Sequence, residues 1–238
     1  MRVLCYHSIS DLSGSPVIHD YGVPPDQFRR QIEIIKQAGL TFIDSAEFLR
    51  FLREESGLSQ RGVLLTFDDC YQDLLDCALP ILEEQRCPAV AFAVTMRLGM
   101  TNDWDKILGA PQLPLLDANG LKILAKSGIT IGSHSRTHAK LTKVSADVLY
   151  QEITGSLADL QAIGLDCPSF YAYPYGLYNE NVMKAVHEAG LKSAFTVKPN
   201  LVQPGQDPYQ VPRIEILRGD VGSRFLRKVL HAPEVLSD

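Results

Sequence analysis

The chain has 238 residues, 45% of them hydrophobic and 21% charged, with a formal net charge of -5 at pH 7. That fits one ordinary globular domain, residues 1–238, long enough to bury a core. No basic run or stripe appears, which excludes nucleic acid as a partner, and no apolar run of about 18 residues appears, which excludes a transmembrane helix.

The opening "MRVLCYHSIS" has one Arg and a very short apolar run. It lacks the apolar core of a secretory signal, so the expectation is a cytoplasmic protein. The five cysteines, Cys5, Cys70, Cys77, Cys87 and Cys167, have no framework spacing and no CxxC pair. They read as reduced thiols rather than a zinc–cysteine site.

In chain order, "RVLCY" reads as a strand. Pro24-Pro25-Asp26 opens a helix to about Ala38, stopped by Gly39. "TFID" is a short strand, and Ser45 is expected to cap the helix "AEFLRFLREE". "GVLLTF" is a strand, and "YQDLLDCALPILEEQ" a helix in which Pro80 predicts a kink. "PAVAFAV" is a strand, and after it comes a long loop to about Leu116 that carries the single Trp, Trp104. Helix "DANGLKILAKSG", strand "ITIGSH", a long helix capped by Ser145, strand "SFYAYP", helix "NENVMKAVHEAG" and strand "SAFTV" come next. "YQVPRIEI" reads as a late strand and "GSRFLRKVL" as a closing helix.

Strands alternating with helices along the whole chain call for a parallel sheet in an α/β fold, a barrel or an open doubly wound sheet. No GxGxxG comes after the first strand, which weakens a dinucleotide fold. In both architectures the site forms at the C-terminal ends of the strands. The residues just past each strand are therefore informative. They are His7, then Asp68 and Asp69, then His134 and His138, then Pro174, Tyr175 and Gly176, with Arg213 inside the late strand.

Side chains alternate along an extended segment, so Asp68 and Asp69 at a strand tip are expected to point different ways. One can hold a metal while the other remains free as a base; a solvated turn capping the next helix is the alternative. "HSRTH" sets His134 and His138 at i, i+4, a spacing that lets both imidazoles face one ion in a helix or turn. With a carboxylate they make a three-ligand set that leaves room for water. A glycosidase reading is weaker, because neighbouring acids on one strand tip do not flank a sugar bond.

"TFDDCY", "HSRTH" and "YAYPYG", in this order, resemble the first three motifs of the polysaccharide deacetylases, carbohydrate esterase family four. The resemblance implies a distorted (β/α) barrel of about seven parallel strands. It implies a hydrolase that removes N- or O-acetyl groups from amino-sugar glycans with one divalent metal ion, usually Zn2+. It makes Asp68 the base, and Asp69, His134 and His138 the metal ligands. Tyr173, Pro174, Tyr175 and Gly176 would wall the substrate groove, with a backbone N–H near Tyr175 for the oxyanion. The opening "VLCYHSIS" is similar to the biofilm poly-N-acetylglucosamine deacetylases, which makes His7 the general acid, with a structural His as the alternative.

The chain departs from that pattern in three places, one of them the lack of a clear fourth motif. Cys70 stands where the family usually has Gly, and the Arg of "R-x-P-Y" is missing from "FYAYPYG". Arg213 is the substitute expected to orient the base, the alternative being a surface Arg. His231 imitates a late family motif and ranks below His7; His19 and His187 read as loop and helix-surface residues. Trp104 either stacks on a sugar ring or anchors its loop. Tyr171, Tyr173 and Tyr175 are expected to share one strand face. A carbohydrate-binding protein of the same fold that has lost catalysis, with Cys70 as the first sign of decay, is the competing function.

Overall fold

The computed structural model describes residues 1–55 and 60–232. Among these residues eight strands form one sheet: β1 (Arg2–Tyr6), β2 (Thr41–Phe42), β3 (Gly62–Phe67), β4 (Ala89–Ala93), β5 (Thr130–Ser133), β6 (Phe170–Ala172), β7 (Ser193–Phe195) and β8 (Ile214–Glu215). Their order is β7-β6-β5-β4-β3-β1-β8, with β2 paired only to the start of β3. Every strand pairing is parallel. Among the described residues seven α-helices surround them: α1 (Pro25–Gln37), α2 (Ser45–Leu52), α3 (Leu79–Gln85), α4 (Ala118–Lys126), α5 (Ala146–Ala162), α6 (Glu180–Glu188) and α7 (Gly222–His231). Among the described residues no helix is long and apolar enough to cross a membrane.

The sheet is a curled half-barrel rather than a fully closed one. Its edge strands are linked by a single stretch of chain: Val211 bridges to Phe195 of β7, and three residues later Ile214 pairs with Leu4 of β1. The predicted strand "YQVPRIEI" thus shrinks to two residues, because Pro212 has no N–H to extend a ladder. Two other local expectations are refined. Pro80 removes the hydrogen bond that would reach back to Asp76, and the chain widens into a π turn, Leu74–Ala78, just ahead of α3. Asp44, not Ser45, caps α2. Its carboxylate accepts from Glu47 N–H at 2.8 Å, and the Glu47 side chain accepts from Asp44 N–H at 3.1 Å.

Strand alternation sorts the core into two layers. Leu4, Tyr6, Val63, Leu65 and Phe67 face outward against helix residues such as Phe28, Ile32 and Ile35 of α1. Val3, Leu64, Val90, Phe92, Phe170 and Phe195 face inward, where Phe48, Phe51 and Leu52 of α2 plug the N-terminal end of the barrel. Phe48 stacks on Phe195 with ring centroids 5.5 Å apart. Gly132 leaves room for the neighbouring Phe92 ring: a Cβ there would lie 2.6 Å from it. Along β3 the inward column runs Leu64, Thr66, Asp68, from apolar to ionised. That gradient sets the site at the other end.

Candidate active site

Asp68 still belongs to the ladder of β1 and β3, since its N–H donates to Tyr6 O at 2.9 Å. Its carboxylate therefore points inward, where Arg213 meets it. Arg213 Nη1 reaches Asp68 Oδ1 at 2.6 Å and Nη2 reaches Oδ2 at 2.7 Å, while Nε donates to Thr196 O at 2.8 Å. Nη1 also lies 3.3 Å from Thr66 Oγ1, and the guanidinium sits over the rings of Phe92 and Phe195. Arg213 is fully buried, so it is no surface residue. Burial alone would push the Asp68 carboxyl up. The Arg213 guanidinium, with the His134 and His7 rings, overrides burial and holds it well below the usual carboxylate range.

The next residue diverges for a reason different from strand alternation. Asp69 has φ +69° and Cys70 φ +56°, so the chain leaves β3 through two left-handed residues. That turn swings the Asp69 carboxylate toward β5. His134 extends β5, its N–H donating to Ala93 O at 2.9 Å. Ser135 at φ +66° and His138 at φ +60° then bend the loop back, with His138 N–H donating to Ser135 Oγ at 3.0 Å. The i, i+4 spacing works here through a turn, not a helix. Buried Glu152 of α5 accepts from the N–H groups of Arg136 and Thr137, both at 2.9 Å, and fixes that turn from outside.

Three donor atoms converge as a result. Asp69 Oδ1 lies 3.6 Å from His134 Nε2 and 3.5 Å from His138 Nε2. His134 Nδ1 lies 2.8 Å from Ala172 O and donates to it, so Nε2 carries the lone pair. Asp69 Oδ1 is buried without a hydrogen-bond partner. Burial pushes the His134 imidazole down to about 4, and burial together with His134 pushes His138 well below its ordinary value. Burial and the adjacent Asp68 charge push Asp69 up. Neutral imidazoles and a carboxylate facing one point with their lone pairs fit a divalent cation. Bonds of about 2.1 Å at tetrahedral angles separate neighbouring ligands by about 3.4 Å.

These groups line a pocket of about 430 Å³ together with His7, Tyr21, Tyr71, Trp104, Asp105, Tyr175, Gly176 and Glu215. His7 comes directly after β1 and flanks Asp68 on the side away from the His pair; its Nδ1 is buried without a partner. Trp104 stacks on His138 with centroids 4.5 Å apart, and Tyr175 packs edge-on against the same ring at 4.4 Å. Trp104 therefore braces a candidate ligand while lining the pocket.

Tyr173 and Pro174 do not wall the groove. Both are buried, and the Tyr173 ring packs against Tyr171 and Tyr178 while its hydroxyl donates to Tyr209 O at 3.0 Å. Tyr171 and Tyr173 do share an outward face, but Tyr175 leaves it, because φ +59° in the turn Pro174–Gly176 rotates its ring into the pocket. Gly176 is required beside it: at φ +65°, an added Cβ would overlap Val197. His231 lies at the far end, on the last turn of α7, whose Val229 and Leu230 carbonyls accept from Arg2 at the start of β1. His19 lies in a short turn after the first loop, and His187 packs on Tyr209 from α6.

Sequence reading missed Cys5, whose thiol lies 3.5 Å from Asp68 Oδ2. Its parity with Val3 on an inward strand was the available signal. Asp105, Tyr21 and Glu215 were also missed, since they reach the pocket from loops or a strand edge with no periodic pattern.

The sequence profile of the polysaccharide deacetylase family matches residues 55–194. The poly-beta-1,6-N-acetyl-D-glucosamine N-deacetylase of Staphylococcus epidermidis is 31% identical over 208 residues, covering 87% of this chain and 72% of the relative. The Staphylococcus aureus (strain MRSA252) protein of the same name is 29% identical, covering 86% and 71%. In fold, the chain is similar to the Streptococcus pyogenes deacetylase PplD (TM-score 0.79, 24% identity, 96% of this chain and 97% of that one). It is equally similar to IcaB from Ammonifex degensii (TM-score 0.79, 22% identity, 90% and 91%). The matched profile spans the Asp pair, both His residues and the Tyr175 turn, and this chain belongs to the polysaccharide deacetylase family.

Proposed function

We propose that the protein is a metal-dependent N-deacetylase acting on a β-1,6-linked N-acetylglucosamine glycan, releasing acetate and leaving free amines. The observation that carries this reading is the convergence of Asp69 Oδ1, His134 Nε2 and His138 Nε2 beside a separately held carboxylate, Asp68. Asp69, His134 and His138 would hold the ion, and zinc suits two imidazoles and a carboxylate. A bound divalent cation polarises the acetyl carbonyl and lowers the pKa of a water.

The protein's own groups supply the rest. Asp68 takes a proton from the attacking water, and Arg213, gripping both of its oxygens, fixes its orientation and keeps it ionised. Water adds to the acetyl carbon, the C–N bond breaks, and His7 on the opposite side of Asp68 gives the departing nitrogen its proton. The hydrogen bonds of the turn at Tyr175, Gly176 N–H to Tyr173 O and Leu177 N–H to Pro174 O, do not use the Tyr175 N–H, which serves the developing oxyanion. Trp104 and Tyr175 offer flat faces to sugar rings. The intact Asp, Asp, His, His set argues against a binding protein that has lost catalysis. Metal content by elemental analysis, with acetate release from short β-1,6-N-acetylglucosamine oligomers, tests this. We expect one tightly held ion and turnover; no ion even after zinc addition defeats the proposal.

A further inference from the structure

We infer that Cys5, His7 and Asp68 form a second cation site, selective for thiophilic ions, that shuts the enzyme down when filled. One ligand atom from each of the three lies within 4.8 Å of the others. Cys5 Sγ is 3.5 Å from Asp68 Oδ2. A tetrahedral ion with bonds of about 2.3 Å to sulfur and 2.1 Å to oxygen sets these atoms about 3.6 Å apart. One ring nitrogen of His7 belongs to this group, and its Nδ1 is buried without a hydrogen-bond partner, so no other protein group holds the ring through that atom. Arg213 takes one lone pair of each Asp68 oxygen and leaves the others, and it balances only one of two negative charges once the thiol is a thiolate. His7 and Asp68 both line the pocket, which gives an ion a route in from solvent.

This set differs in kind from Asp69, His134 and His138. It contains sulfur, so it favours zinc and cadmium over magnesium or manganese, whereas the neighbouring set has only nitrogen and oxygen. The two sites draw on opposite sides of the Asp68–Asp69 pair. Filling the second one ties up an oxygen of Asp68 and the ring of His7. Inhibition rests on the roles proposed above for those residues; binding does not.

The test uses the reduced full chain with Cys77 and Cys167, the less buried thiols, changed to Ser. Cadmium-113 NMR is expected to show two resonances, one in the nitrogen–oxygen range and one shifted downfield by sulfur. A thiolate-to-cadmium absorption band should grow with the second equivalent. Cys5→Ser should remove the downfield resonance and the band and keep the first resonance. A single resonance without a sulfur shift in the parent protein, or a band that survives in Cys5→Ser, overturns the site. The parent spectrum decides the matter even where the variant fails to fold. In activity assays, excess zinc should inhibit the parent at least about tenfold more strongly than Cys5→Ser, each relative to its own uninhibited rate. Two cadmium resonances in a protein without deacetylase activity would uphold the site and reject the function.

Discussion

The two ends of the barrel interior are built on the same inward-facing strand columns and filled with opposite chemistry. At the N-terminal end Phe48, Phe92, Phe170 and Phe195 stack with Leu64 and Val90 into a dry plug. At the C-terminal end, two to four residues further along the strands, the columns become Cys5, Thr66, Asp68 and His134, joined by Arg213 from the segment that spans the sheet's open side. Arg213 touches both halves, its guanidinium over Phe92 and Phe195 and its hydrogen bonds on Asp68. The contrast shows how a desolvated charge cluster is tolerated. A rigid apolar floor fixes the strands, and each buried charge meets a partner or a ligand position.

The sharpest way to break that division is at Asp68. Asp68→Asn should retain the ion and lower kcat by about 10²–10⁴. Wild-type kcat in that variant removes Asp68 from the role of base. Arg213→Leu leaves the Asp68 charge buried alone and should cost about 3–5 kcal/mol in denaturant unfolding. Pairing it with Asp68→Asn should recover much of that stability and none of the activity. If the double variant is no more stable than Arg213→Leu, the ion pair is not what holds this end together.

The apolar end should behave in the opposite way. Phe195→Ala opens a cavity among Phe48, Phe92 and Phe170 and should cost about 3–5 kcal/mol of stability. Metal content and kcat per folded molecule should change far less than in Asp68→Asn. A loss of bound ion equal to the loss of stability would mean that the two ends are not separable.

The sequence disclosed the polar end better than the apolar one. Acids and imidazoles after strands are visible as types, and parity along β1 and β3 tells which face they take. Arg213 was legible as a candidate but not as buried, because its partner lies 145 residues away and only the curl of the sheet joins them. The Tyr173 and Tyr175 assignments parted because one left-handed residue ended the alternation, and nothing in "YPYG" forces that residue to be Tyr175. The plug by α2 was not legible at all. An amphipathic helix shows which face it buries, not which end of a barrel receives it.

Acid should loosen the polar end first. Without a bound ion, burial pushes His134 down to about 4 and His138 well below its ordinary value, against 6.5 for a free imidazole. As pH falls below about 6.5, the unfolded chain takes up two protons that the folded site refuses. Asp69, raised above its ordinary 3.8, works the other way and offsets part of that loss. Asp68, held below its ordinary 3.8 in the folded state, adds to the loss in the same direction as pH nears 4. The net effect is stability lost as pH drops from about 6.5 toward 4. Asp69→Asn should steepen this loss by removing the opposing contribution. Chemical denaturation at several pH values checks it, and a flat profile in this window in both proteins would break the assignment of buried neutral imidazoles.

The smallest expected effect lies in the turn just behind the Asp pair, at Cys70. Its φ of +56° is the left-handed region, yet its side chain is buried in the outer core. At an ordinary buried position Ala is more stable than Gly by about 0.5–1 kcal/mol, because Gly loses more freedom on folding. Here the left-handed backbone costs any L side chain about 1–2 kcal/mol, and that term opposes the usual order. Cys70→Gly should therefore equal or exceed Cys70→Ala in stability, and both should lie within about 1–2 kcal/mol of the parent, which keeps the packing of the thiol. Measuring the pair cancels the lost sulfur contacts, since both variants lose them, and leaves the backbone term with the burial of one methyl, about 0.8 kcal/mol. An Ala variant clearly more stable than the Gly variant would mean that the turn carrying Asp69 toward the imidazoles is not held in the left-handed region.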